Sequence, residues 1–248
     1  MSVFSRFRAI SEDDKAAVVR KLMQSSTPDF DFFYLVGLSI LMASFGLLID
    51  SAAIVIGSML IAPLLYPILG LALGITMSNY GVFTRSAVTL LKSFAIGLGL
   101  SIIATLLFSS GDVTASFEIM NRTEVSLVHF LIAVVAGAAV AFTLGQSEWS
   151  ETLPGIAISV ALMPPLAVVG IGIAAFNMTI VAGSLVMLLV NICGIVFAAM
   201  ITFSLMNLYE KQHIAESTIR KEDERVNEEK KTITELDESL KNEIEQKI

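Results

Sequence analysis

Apolar residues fall into six long blocks, 32–49, 52–77, 87–108, 127–145, 152–176 and 180–208, separated by shorter polar stretches. A hydrocarbon core about 30 Å thick is crossed by about 20 residues of helix, so each block has the length of a span. The first two are parted only by Asp50 and Ser51, which predicts a tight helical hairpin. The fourth and fifth are joined by the short polar stretch 146–151, and the longest internal loop, 109–126, carries Asp112, Glu118 and Glu124. The pattern predicts an all-α, polytopic membrane helix bundle of six transmembrane segments over 32–208. An N-terminal arm (1–31) precedes it and a charged helical tail (209–248) follows.

Two of the blocks contain prolines where a helix interior is expected. Ser58-Met-Leu-Ile-Ala-Pro63-Leu-Leu-Tyr66-Pro67 lies in the second, and Ser159-Val-Ala-Leu-Met-Pro164-Pro165 in the fifth. Each is the middle block of three, so the chain reads as two halves, about 32–108 and 127–208. A shift of 101 residues pairs Asp50 with Glu151, Ser58 with Ser159, and Pro63 with Pro164. A unit with an odd number of spans must re-enter in the opposite sense, so these would be inverted repeats with proline-broken second and fifth helices.

An interior proline leaves the carbonyl four residues earlier without its helical partner. In lipid such a carbonyl costs several kcal/mol unless protein, water or a ligand satisfies it. Freed carbonyls attract cations, and the N-terminus of the following half-helix attracts anions. The candidate substrate-binding residues are therefore Ser58, Pro63, Tyr66, Pro67, Ser159, Pro164, Pro165 and the intramembrane amide Asn191. The plain alternative is a pair of kinked, packed helices, with Asn191 bonded across a helix interface. Asp50 and Glu151 flank the broken helices, as titratable gates or simple helix caps.

The flanking segments differ in pattern. Ser11 followed by Glu12, Asp13 and Asp14 marks a helix start, and Val18, Val19, Leu22 and Met23 give that helix an apolar face up to Pro28. It either lies at the membrane surface or packs beneath the bundle. In the tail, Ile219, Val226, Ile233 and Leu240 recur every seven residues, joined by Leu236, while Glu222, Glu229 and Glu243 hold the complementary position. Self-association through this stripe and a solvated single helix both fit.

Composition agrees with the pattern. The chain has 248 residues, of which 55% are hydrophobic and 16% charged, and its net charge is −7; soluble domains carry about 25% charged residues. Between the first and last blocks the basic residues are Arg85, Lys92 and Arg122, with five more in the arm and eight in the tail. Positive charge stays cytoplasmic, which predicts a multi-pass protein of the cell membrane with both termini inside and Arg122 outside. The polar arm precedes the first apolar block, the reverse of a signal-peptide order.

The one cysteine, Cys193, reads as a small buried apolar side chain and excludes an intramolecular disulfide. No zinc-binding histidine pair, nucleophile elbow or phosphate loop occurs, so no catalytic residues, metal ligands or cofactors are expected and the chain reads as a non-enzyme. Net acidity without a basic cluster argues against nucleic acid.

The motifs Gly57-Ser-Met-Leu-Ile-Ala-Pro63-Leu-Leu-Tyr-Pro67-Ile and Pro154-Gly-Ile-Ala-Ile-Ser-Val-Ala-Leu-Met-Pro164-Pro165-Leu together resemble the prokaryotic uncharacterised hydrophobic domain family, domain of unknown function 389. The resemblance covers about 35–208. It implies a multi-span prokaryotic membrane protein and supplies no substrate or catalytic residue. Tyr66 stands where a small residue such as Gly is expected, which bears on the width of any gap there. The expected partners are the lipid bilayer, a small solute or ion, and further copies of the chain through the bundle or tail. The leading expectation is a small-solute or ion transporter or channel-like protein, and the alternative is a membrane scaffold or regulator acting through its tail.

Overall fold

In a computed structural model of the chain, residues 10–109, 111, 113–145 and 153–245 are described, the side chains of 153–161 and 237–245 excepted. Every regular element among them is helical. Helix α1 (Glu12–Ser25) starts where the sequence predicts, with Ser11 Oγ accepting from the Asp14 N–H at 3.1 Å. Its apolar face is buried, Val19 and Leu22 completely, and it packs on the bundle and on the tail. Burial inside the protein decides between the two placements the sequence left open. Helix α2 (Phe30–Leu48) is capped by Asp29, and α3 (Ala52–Ile61) and α4 (Leu65–Thr76) follow. Next come α5 (Tyr80–Phe108), the short α6 (Phe117–Met120), α7 (Leu127–Leu144), α8 (Leu153–Ala174), α9 (Met178–Leu205) and the tail helix α10 (Gln212–Glu245).

Helices α2, α5, α7 and α9 are each long and apolar enough to cross a membrane, and α3 with α4 makes a fifth span if the bent pair is counted as one. Their outward faces leave Leu91, Leu107, Val135 and Leu189 exposed, a belt that suits lipid and would be an aggregation surface in water. Cys193 belongs to that exposed side of α9, which corrects the expectation of a buried thiol. A uniformly apolar block does not reveal which of its faces points outward.

Helix α8 is the hub. It packs against α2, α3, α4, α5, α7 and α9, and Leu162, Met163, Leu166, Ala167, Val168 and Ile171 are at most 1% exposed. A helix apolar all round is one buried all round. It runs without interruption through Pro164 and Pro165, so the fifth segment is not broken as the sequence predicted. Proline's fixed φ of about −65° is a helical φ, and the lost N–H bonds can be made good by surrounding protein.

The turns that precede α5 and α9 share their geometry. Ser78 and Phe176 both have positive φ, 50° and 53°, and each is followed by an asparagine capping the next helix. The Asn79 N–H donates to Gly74 O at 2.9 Å, and the Asn177 N–H to Gly172 O at 2.9 Å. The Asp50 turn repeats the scheme, with φ 56° and Ser51 N–H donating to Gly46 O. All three glycines lie where the following helix crosses closely. A Cβ at Gly74 would sit 2.6 Å from Phe83 N, at Gly46 2.9 Å from Val55 N, and at Gly172 3.1 Å from Val181 N.

Counting from Asn79 to Asn177, a spacing of 98, matches buried positions throughout the helices that follow. Val82, Ser86, Thr89, Leu90, Ser93, Gly97, Ser101, Ala104 and Thr105 are the buried residues of α5. Ile180, Ser184, Met187, Leu188, Asn191, Ile195, Ala199, Thr202 and Phe203, their counterparts, are all buried in α9. The buried positions of α7 match α2 in the same way at a spacing of 97, as in Ala133 with Val36 and Gly137 with Ile40.

Candidate functional site

The α3–α4 break is built by three residues. Ala62 turns extended (ψ 122°), Pro63 follows, and Leu64 starts the next helix, with the two axes bent by 56°. Pro63 has no N–H for the Met59 carbonyl, and the last carbonyls of α3 need partners from elsewhere. One finds it in α2, where Ser39 Oγ donates to Ser58 O at 2.7 Å. Ser58 itself is fully buried, and its hydroxyl donates back to Val55 O at 2.6 Å. Tyr66 is half-buried in the first turn of α4 and Pro67 is buried beside it. Pro67 breaks nothing, because N–H groups of a first turn have no helical acceptor.

The structure gathers the helices that carry the two proline motifs. α3 and α4 both pack on α8, and α9, which holds Asn191, packs on α4 and α8. Pro164 and Pro165 are buried in α8, and Asn191 is 7% exposed. Neither Tyr66 nor Asn191 is without a partner. The Ser159 side chain and Glu151 lie outside the described residues.

A row of hydroxyls was missed by the sequence reading. Ser86, Thr89, Ser93, Ser101 and Thr105 recur every three to eight residues on the inner face of α5, and all are at most 3% exposed. Ser101 Oγ donates to Ala167 O in α8 at 2.8 Å and meets Ser44 Oγ of α2 at 3.0 Å. Thr89, Ser93 and Thr105 donate to the carbonyls four residues earlier in α5. The signal lay in the i, i+3, i+4 recurrence of Ser and Thr within an apolar block, which attention to the prolines obscured.

Beyond Thr105 the row opens onto two adjoining cavities. One, of about 410 Å³, is lined by Thr105, Ser109, Thr114 and Asn177 among others. The second, of about 360 Å³, is lined by Asp50, Phe108, Ser109, Ser116 and Ile119 among others. Ser109, Gly111 and Val113 border both. Asp50 fastens the 113–123 loop over this end. Its Oδ1 accepts from the Glu118 N–H and from Ser116 Oγ, both at 2.8 Å. These bonds hold the carboxyl below its ordinary range, the Glu118 backbone N–H having the largest effect. Arg122 is paired with Glu118 at 2.6 Å.

At the opposite end, the tail helix straps the bundle. Asn79 Nδ2 donates to Glu216 at 2.8 Å, Arg85 pairs with Asp223, and Arg225 reaches Asp29 at 3.2 Å. Lys211 and Lys15 lie 2.6 and 2.7 Å from Glu12. Their hydrogen bonds, that of Lys15 first, lower its pKa to about 2. Ala215 and Thr218 are buried against the bundle, whereas Ile233 and Leu236 are 59% and 57% exposed. Along the heptad stripe, Ile219 packs against the core, whereas Ile233 and Leu236 are exposed. Among the described residues, no group of three or more His, Cys, Asp or Glu side chains is arranged to hold a metal ion.

The family model described as a domain of unknown function (DUF389) matches residues 59–197. An uncharacterised protein of Methanocaldococcus jannaschii is 34% identical over 168 residues, covering 67% of this chain. The chain spans about half the length of that relative, 51%. No solved structure matches.

Proposed function

The chain belongs to the domain of unknown function 389 family, and on that premise we propose that it is a small-solute or ion transporter or channel-like protein of the cell membrane. The reading takes six spans, α2, α3–α4, α5, α7, α8 and α9, arranged as two inverted repeats with both termini cytoplasmic. The nine-for-nine match of buried positions between α5 and α9 supports the repeat. The excess of basic residues in arm and tail supports the orientation. No catalytic role is assigned.

One observation carries the functional reading: the broken α3–α4 span packs against a proline-bearing hub helix that is buried over 162–172. Half-helices whose ends face protein at the repeat interface are where transporters of this architecture bind their cargo. Backbone carbonyls, helix ends and hydroxyls would do the binding, since the described core around the break has no charged side chain. Purified protein in liposomes, tested across a panel of ions and small metabolites, is expected to carry at least one of them.

The scaffold reading retains support from the exposed Ile233 and Leu236 of the tail. Silence across the panel, together with a cytosolic protein bound by the tail, would favour it over transport.

A further inference from the structure

We propose that the twin cavity at the Asp50 end is a binding site for a small hydrated cation. The two lobes share Ser109, Gly111 and Val113 and so form one space between the α2–α3 turn, the end of α5 and the α8–α9 turn. The polar side chains lining it, Thr105, Ser109, Thr114, Ser116 and Asn177, present neutral oxygens, and Asp50 supplies a carboxylate. No lysine, arginine or histidine lines either lobe among the described residues. Arg122 is tied to Glu118 at 2.6 Å and adds only the weakest of the influences that hold the Asp50 carboxyl low.

Asp50 stays ionised because both of its donors stabilise the charged form. A carboxylate has about four acceptor positions, so the two bonds to Oδ1 leave it capacity for a ligand. The size of the space decides the form of the ligand. Lobes of about 410 and 360 Å³ each have room for roughly a dozen waters at about 30 Å³ apiece. One carboxylate is too little to strip a divalent ion that takes six to eight oxygen ligands. An ion that keeps part of its water shell, or an organic ammonium of similar size, meets both limits. As the entrance to a transport route the site rests on the reading above; as a binding site it does not.

Asp50 has a second role as the fastener of the loop, and D50N separates the two. The amide oxygen still accepts from Ser116 and Glu118, and asparagine tolerates the positive φ of 56°. Purified protein is dialysed to equilibrium at low ionic strength against thallium(I), manganese(II) or methylammonium in separate arms, and the melting temperature is recorded. Saturable binding of at least one probe is expected, with the arms distinguishing monovalent, divalent and organic cations. D50N is expected to weaken it by about tenfold or more while lowering the melting temperature less than D50A, and D50A loses both binding and thermal stability. The inference is overturned if no probe binds the wild type, or if D50N binds like the wild type. Flux in liposomes without such binding overturns it and leaves transport standing; binding without flux does the reverse.

Discussion

Residues 52–76 and 153–174 both carry prolines within an apolar stretch, yet one is two helices bent by 56° and the other a single helix. The first carries Pro63 and Pro67, the second Pro154, Pro164 and Pro165. In the first the helix stops at Ile61 and resumes at Leu65, with Ala62, Pro63 and Leu64 between. Counted back from the asparagine caps, Pro67 is the counterpart of Pro165. Counted forward from Asp50 and Glu151, Pro63 is the counterpart of Pro164. The difference teaches that proline alone does not break these helices. Pro164 and Pro165 sit inside a continuous helix packed on six others, whereas at Pro63 the chain leaves helical geometry.

The most severe way to break this comparison is to remove it. Deleting residues 62–64 joins α3 directly to α4, and the expected outcome is a folded protein with flux abolished. Retained flux would show that the break is packing alone. Next come the crossings. Gly74→Ala places a methyl 2.6 Å from a backbone nitrogen that cannot move aside, and is expected to cost about 1–3 kcal/mol in thermal unfolding. Gly172→Ala meets the Ile180 side chain first, which can give, so it costs less.

Ser101→Ala makes α5 match α9, which has Ala199 in that place, and loses the bonds to Ala167 and Ser44. About 1 kcal/mol per hydrogen bond is expected by denaturant titration. Smaller still is Pro67→Ala, about 0.4–1 kcal/mol and from chain entropy alone, since its N–H would find no helical acceptor.

Acid gives the last and mildest test, on the polar ends. The folded pKa values of Asp50 and Glu12 are depressed, so their ties contribute fully above the ordinary carboxylate range. That contribution is lost as pH falls through the folded values, which for Glu12 means toward about 2. Hydrogen exchange should then show the Asp50 loop and the tail helix loosening while the spans stay protected.

The six apolar blocks, the capped start of α1 and the break at Pro63 were legible because length, capping chemistry and the missing N–H act locally. The continuity of α8 was not, since it depends on six surrounding helices. Aligning on Pro63 and Pro164 gives a spacing of 101, whereas the asparagine caps give 98 and the buried positions of α2 and α7 give 97. The fastening of the loop by Asp50 joins residues 66 and 68 positions apart, which no local pattern announces. Of the candidate site, the converging helices were anticipated, while the hydroxyl row and the cavity at its end were not.

The strap from Arg225 to Asp29 joins positions 196 apart, close to the full span of the chain. Chains are made from the N-terminus at about 5–20 residues per second. The first helix therefore leaves the ribosome long before the tail that packs against it exists. Every span between them must be threaded while α1 lacks that cover. The closing contact then waits for α10: a chain cut before it lacks the ties from Arg225 to Asp29 and from Asp223 to Arg85.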